Sequence, residues 1–244
     1  MRADSVNGFS GARAVFPFSY PGLKQIYFIT GTDTGAGKTV LGCLLVSFLR
    51  EQGVNAAALK PVCSGGREDA RRIFSAMNGA LPLDEINPWH FRAPIAPALA
   101  ARRENKTIRL PQVLAQIRAM RKRFDVLIVE GAGGLLSPLG DDFNSRDLIR
   151  ELRATPVVAA PNRLGVANHV LLTLEALPKK IRDRTRVVLM SSSQPDSSAA
   201  TNATLLAKFF PAQRIFSLPW FGKRLSSPVD NPRARSILPG LLRD

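Results

Sequence analysis

Residues Gly31 to Thr39 read GTDTGAGKT and follow, after Thr30, the apolar run Ile26, Tyr27, Phe28, Ile29. A buried strand that breaks into glycine and reopens as a helix through Val40, Leu41, Leu44, Leu45 and Phe48 has the layout of a phosphate-binding loop. Backbone N–H groups of such a turn converge on an anion, and the helix adds the positive end of its dipole. In that layout Lys38 stands against the β- and γ-phosphates as a compact cation, and the Thr39 hydroxyl ligates Mg²⁺. The pattern departs from G-x-x-x-x-G-K-[ST], because Thr32 holds the place of the first glycine. Gly35, Ala36 and Gly37 keep the loop small beside the lysine, where main chain must approach an anion closely.

The length of 244 residues, 45% of them apolar, is enough for one α/β domain with a sizeable core. We therefore expect a single P-loop α/β domain over residues 24–244. The stretch 1–23, with Gly8, Gly11, Pro17, Pro21 and Gly22 and no sustained apolar period, is expected to be a disordered extension. Two cysteines, Cys43 and Cys63, form no disulfide framework and, beside a phosphate loop, point to a reducing, cytoplasmic setting. No apolar run has the length that spans a bilayer, so no membrane partner is expected. The net charge of +15 raises the question of nucleic acid. The basic residues are dispersed, from Arg71 and Arg72 through Arg118 and Arg121 to Arg184 and Arg186, with no aromatic-and-basic module, so a solvated basic surface is the expectation.

Strand and helix patterns alternate along the chain. Asn55 to Leu59 reads as a strand that ends in Lys60, Pro61, Val62, Cys63, Ser64 and Gly65. Polar groups at a strand's carboxyl end sit at the sheet edge where open α/β folds bind ligands. Asp69 opens a helix through Ile73 and Met77, as a dipole partner or an oxygen ligand for Mg²⁺. Ile86 to Pro97 holds three prolines and reads as a structured loop, in which His90 has no second histidine at metal-ligand spacing. Pro111 to Arg123 is an amphipathic helix feeding the apolar strand Asp125 to Val129. That strand closes on Glu130, an acidic residue placed as in a Walker B strand, and Gly131, Ala132, Gly133 and Gly134 follow. Further strands are expected at 156–160, 186–190 and 214–218, with a helix at 170–177 after a loop over 162–169. The fold class is α/β: a three-layer P-loop fold with a mainly parallel sheet covered by helices on both faces.

GTDTGAGKT at 31–39, KPVCSG at 60–65, NPWHF at 87–91, VEGAGGLLSPL at 129–139 and NRLGVANH at 162–169 together resemble dethiobiotin synthetases, over roughly residues 25 to 225. The resemblance implies ATP-dependent, Mg²⁺-assisted carboxylation of 7,8-diaminopelargonate by CO₂ and closure of a ureido ring, in a homodimer. It implies that Lys38 stabilises the γ-phosphate and that Lys60 binds the carbamate and the transferring phosphoryl group, with Thr34 and Ser64 alongside. Gly35, Ala36, Gly37, Lys38, Thr39, Val40, Glu130, Gly133 and Pro219 fall on the nucleotide, and Thr39, Asp69 and Glu130 on the metal. Ser64, Gly133 and Gly134 fall on substrate, as does the loop of Gly165, Val166 and Asn168, which in the family reaches across the dimer. Where the family commonly has a base-reading asparagine, this chain has Ser191, Ser192 and Ser193. A switch ATPase of the ParA and MinD type, riding on DNA or membrane, is the rival from another class. Its signature lysine would fall at Asp33. An amidoligase of related fold acting on another small acid is the third reading.

Overall fold

Short runs of Val, Ile, Leu and Ala that are buried on both faces pair best in parallel, with helices covering each side. The computed structural model describes residues 25–222 and 231–243, so the expected disordered extension at 1–23 lies outside the described residues. In chain order the elements are β1 (Gln25–Gly31), α1 (Lys38–Glu51), β2 (Ala56–Leu59), β3 (Val62–Ser64), α2 (Glu68–Ala76), α3 (Leu83–Ile86), β4 (Trp89–Phe91), α4 (Pro97–Arg103) and α5 (Leu110–Arg123). There follow β5 (Val126–Glu130), α6 (Ser145–Leu152), β6 (Thr155–Pro161), α7 (Val166–Glu175), α8 (Lys179–Arg182), β7 (Arg186–Met190), α9 (Asn202–Leu206), β8 (Ile215–Leu218) and α10 (Pro232–Leu242). The main sheet has the order β2-β5-β1-β6-β7-β8, and every pairing in it is parallel.

Side-chain alternation along β1 assigns the two helix layers. Tyr27 turns toward α10, its hydroxyl donating to the Leu242 carbonyl at 2.8 Å. Ile29 turns the same way, and a Cβ added at Gly42 of α1 would lie 3.5 Å from its Cδ1. Phe28, between them, turns to the opposite face, where α6 packs on β1 and α5 on β5. The crossover after β1 runs one way along the sheet, to β2, and the crossover after β5 runs the opposite way, to β6. Right-handed connections therefore carry α1 and α6 to opposite faces and leave a crevice beyond the carboxyl ends of β1 and β5.

Local chemistry ends the elements where the sequence indicates. Gly53, at φ 78°, donates to the Arg50 carbonyl at 3.0 Å while Val54 donates to Leu49, which stops α1. Two expectations need correction. The segment 86–97 is not only loop: β4 pairs with β3 in a two-stranded parallel ribbon, Val62 opposite Trp89 and Ser64 opposite Phe91. The ribbon satisfies backbone groups that three prolines otherwise strand. Helix α7 starts at Val166 rather than 170, because Gly165 at φ 87° turns the chain directly into it. Beyond Trp220 the chain forms α10, capped by the Asn231 side chain with Pro232 in its first turn.

Candidate active site

Strand register builds the centre of the site. Leu59 pairs with Val129 and Ile29 with Glu130, so the residues that follow Leu59 and Val129, Lys60 and Glu130, emerge side by side at the carboxyl rim. Lys60 Nζ donates to Glu130 Oε1 at 2.6 Å and to Asp69 Oδ2 from the first turn of α2. Thr39 Oγ1, in the first turn of α1, donates to the same Glu130 oxygen at 2.8 Å. Residues distant in the chain thus meet at one point: Thr39 and Glu130 are 91 positions apart.

The phosphate loop closes over this cluster. Gly35 and Gly37 hold φ values of 72° and 89°, in the left-handed region that favours glycine. A Cβ at Gly31 would lie 2.9 Å from the Asp33 carbonyl oxygen and 3.0 Å from Lys38 Nζ, so the tight turn also requires glycine there. Lys38 folds its ammonium over the loop and donates to the Asp33 carbonyl at 2.8 Å. A Cβ added at Gly134 would lie 3.3 Å from the Thr32 carbonyl oxygen, so the second glycine loop passes close over the first, and the Gly134 N–H donates to Ser137 Oγ at 2.8 Å within its own loop.

The two lysines differ electrostatically. Burial lowers the Lys38 pKa, offset only in part by Glu130. Burial also acts against Lys60, but Glu130 and Asp69 outweigh it and raise its pKa well above the ordinary lysine value. Burial would push the Asp69 carboxyl up; the Lys60 charge and its hydrogen bond prevail and hold it down. Two thiols lie near the cluster, and burial first of all raises both, Cys43 to about 12.

Two cavities adjoin the loop. The first, about 690 Å³, is lined by Thr34 through Val40, Lys60, Ser64, Asp69, Glu130 and Gly133, along with Cys63, Arg72, Ser137 and Pro94 to Pro97. The second, about 510 Å³, lies behind Gly35 to Gly37 and is lined by Met190, Ser191, Ser192, Pro219, Trp220 and Phe221 among others. The expected residues Thr34, Gly35, Ala36, Gly37, Lys38, Thr39, Val40, Lys60, Ser64, Asp69, Glu130 and Gly133 are therefore gathered in one cleft, and Pro219 borders its neighbour. Gly134 supports the loop rather than lining the cleft. Gly165, Val166 and Asn168 lie outside both cavities; the Val166 side chain is buried in the core, and Asn168 is exposed on α7.

Other contributors carried no reading of their own in the sequence. Asn87, 1% exposed, donates through Nδ2 to the Lys60 carbonyl at 2.7 Å, and its Oδ1 accepts from Arg67 Nε and the Cys63 thiol. This clamp holds the ribbon that presents Lys60 and Ser64, and its only sequence signal is the NPWHF match. Asp196 accepts from the Leu164 N–H at 2.9 Å, and buried Asn202 donates to Asn162 Oδ1, so the turn into α7 is held from a distant loop.

A sequence family described as "AAA domain" matches residues 25–225. The chain is 39% identical over 198 residues to an ATP-dependent dethiobiotin synthetase BioD of Anaeromyxobacter dehalogenans (strain 2CP-C), covering 79% of this chain and 89% of that protein. It is 36% identical over 187 residues to a protein of the same name from Akkermansia muciniphila, covering 76% and 88%. Among solved structures, a ParA family ATPase from Chlorobium tepidum TLS superposes with a TM-score of 0.56 at 12% identity, covering 91% of this chain and 98% of that one. At that identity the likeness speaks to the fold alone.

Proposed function

Since this chain belongs to the dethiobiotin synthetase family, we propose that its cleft joins CO₂ to 7,8-diaminopelargonate at the expense of ATP and closes the ureido ring of dethiobiotin. One amine of the substrate takes up CO₂ as a carbamate. A carbamate oxygen attacks the γ-phosphorus, ADP leaves, and a carbamic–phosphoric anhydride results. The second amine attacks the carbonyl carbon, and inorganic phosphate departs. The observation that carries this reading is the convergence of Lys38, Lys60, Thr39, Asp69 and Glu130 in one cleft beside a phosphate loop.

The chemistry brings one anion up to a polyanion, so positive charge and orientation are the requirements. Loop N–H groups and the amino end of α1 receive the β- and γ-phosphates, with Lys38 above them. Lys60, held protonated by two carboxylates, meets the carbamate and the transferring phosphoryl group. Thr34 and Ser64 contact the same groups from the rim, and Gly133 lets main chain pass close to substrate. The second cavity takes the base, with Pro219 on its wall.

The donor set fits Mg²⁺. Thr39, Asp69 and Glu130 supply hard oxygens, and the buried Glu130 Oε2 has no hydrogen-bond partner. Among the described residues no group of three His, Cys, Asp or Glu is clustered for a metal, which suits an ion held largely by phosphate and water. When bound it would offset charge on the β- and γ-phosphates. Gly165, Val166 and Asn168 sit outside the chain's own cleft, and their proposed role on the substrate carboxylate belongs to a homodimer in which each chain completes its partner's site. A cytoplasmic location accords with the reaction; no helix among the described residues is long and apolar enough to cross a membrane. The ParA-like reading has the shared fold alone in its favour.

Purified protein supplied with diaminopelargonate, bicarbonate, Mg²⁺ and ATP is expected to release phosphate and form dethiobiotin in equal amounts. ATP binding without either product would overturn the reading. The depressed Lys38 pKa sets a second expectation. The cation is needed for phosphate binding, so ATP affinity measured against pH should weaken on an alkaline limb below 10.5. Lys38→Arg, whose guanidinium stays charged, should move that limb upward. Constant affinity of the unsubstituted protein through that range would remove Lys38 from the phosphates.

A further inference from the structure

The two cavities share Gly35, Ala36, Gly37, Val40 and Arg72 in their walls. Four of these are loop or α1 residues, and the fifth comes from α2. A ligand that occupies both cavities therefore meets the loop and Arg72 where it crosses from one to the other. Arg72 sits one turn beyond Asp69 on the same face of α2, so the fold that sets the carboxylate also sets the guanidinium. Its ion pair with Glu68 is long, 3.8 Å, between side chains 47% and 64% exposed, and holds the guanidinium only weakly.

The charge balance gives this placement a purpose. The first cavity presents three cations, Lys38, Lys60 and Arg72, against the carboxylates of Asp69 and Glu130. Lys60 is already engaged by both carboxylates. Among the described residues in the wall of the second cavity, Arg72 alone is charged. We propose that Arg72 is a further nucleotide-binding residue, which grips the α-phosphate end of the triphosphate where it crosses from one cavity to the other. A planar guanidinium suits that task, since it can donate two parallel hydrogen bonds to phosphate oxygens.

This inference rests on the ATP site proposed above, and direct binding measurements separate the two. Calorimetric titration of ATP, CTP and inorganic triphosphate into Arg72→Ala should show about a tenfold weaker Kd for all three, Arg72→Lys recovering part of it. In steady-state assays KM for ATP should rise by a similar factor, with kcat changed less than about twofold. Arg71→Ala is the control, because it removes the same charge from the same helix at a residue that lines neither cavity. Binding by Arg72→Ala within about twofold of the parent would overturn the proposal, as would an equal loss in Arg71→Ala. A loss confined to ATP would also overturn it, by assigning Arg72 to the base. If the protein binds ATP but makes no dethiobiotin, the reaction assignment fails while the binding comparison still decides Arg72.

Discussion

Lys60→Ala is expected to lower kcat by about a thousandfold while leaving the ATP Kd within a few-fold of the parent value. The expectation follows from where the charge is used. The loop backbone, the amino end of α1 and Lys38 provide for the nucleotide before chemistry starts. Lys60 lies behind them, its side chain 6% exposed, and its role is to offset charge as a carbamate oxygen approaches phosphorus. An interaction made only in the transition state lowers kcat when removed and leaves ground-state binding alone. An unchanged kcat would contradict the assignment.

The same substitution leaves Glu130 and Asp69 facing each other without a cation, so a melting curve must accompany the kinetics. The sign of the pH dependence identifies this contribution. Lys60 has a raised pKa, so its contribution to stability is whole below the ordinary lysine value of 10.5 and is lost as pH rises through the raised value. Asp69 has a lowered pKa, so its contribution is present above 3.8 and is lost as pH falls through the lowered value. Between those limits the pair contributes a plateau, and in the variant both limbs should flatten.

Leu238→Ala should cost about 3 kcal/mol of stability, a fall in Tm on the order of 6–12 °C, with the kinetics at 25 °C unchanged. Leu238 is fully buried on α10, which packs against α1 and β8. Gly240 lies so close to β8 that an added Cβ would meet Phe216 Cε1 at 2.8 Å. Truncating a leucine in such a contact leaves a cavity that close-packed neighbours fill only partly. A melting temperature within about a degree of the parent would mean that α10 does not dock as described.

That helix also shows where sequence reading ran short. No helix is expected there from the sequence, and Pro239 inside it removes an N–H that a helix interior normally uses. The available signal was the Asn231–Pro232 start followed by Ala234, Leu238, Leu241 and Leu242, the positions that turn out buried. At α7, Gly165 reads as loop in the sequence, whereas its positive φ marks the helix start. By contrast, the centre of the cleft was legible, because a strand, its terminal residue and the following glycines are contiguous and register alone brings Lys60 beside Glu130. Asn87, Ser137 and Arg72 were not, since their parts arise from loops and helices folding back over that rim. Periodicity describes one element at a time and does not report which distant element packs over it.

The buried thiol of Cys43 has a consequence of its own. It stands in α1 one turn after Thr39, where burial suppresses the thiolate and electrophiles find little to react with at neutral pH. Alkylation there needs the helix to lift from the sheet first. The rate at which an alkylating reagent adds to Cys43, read by mass spectrometry, is therefore expected to report how often α1 opens.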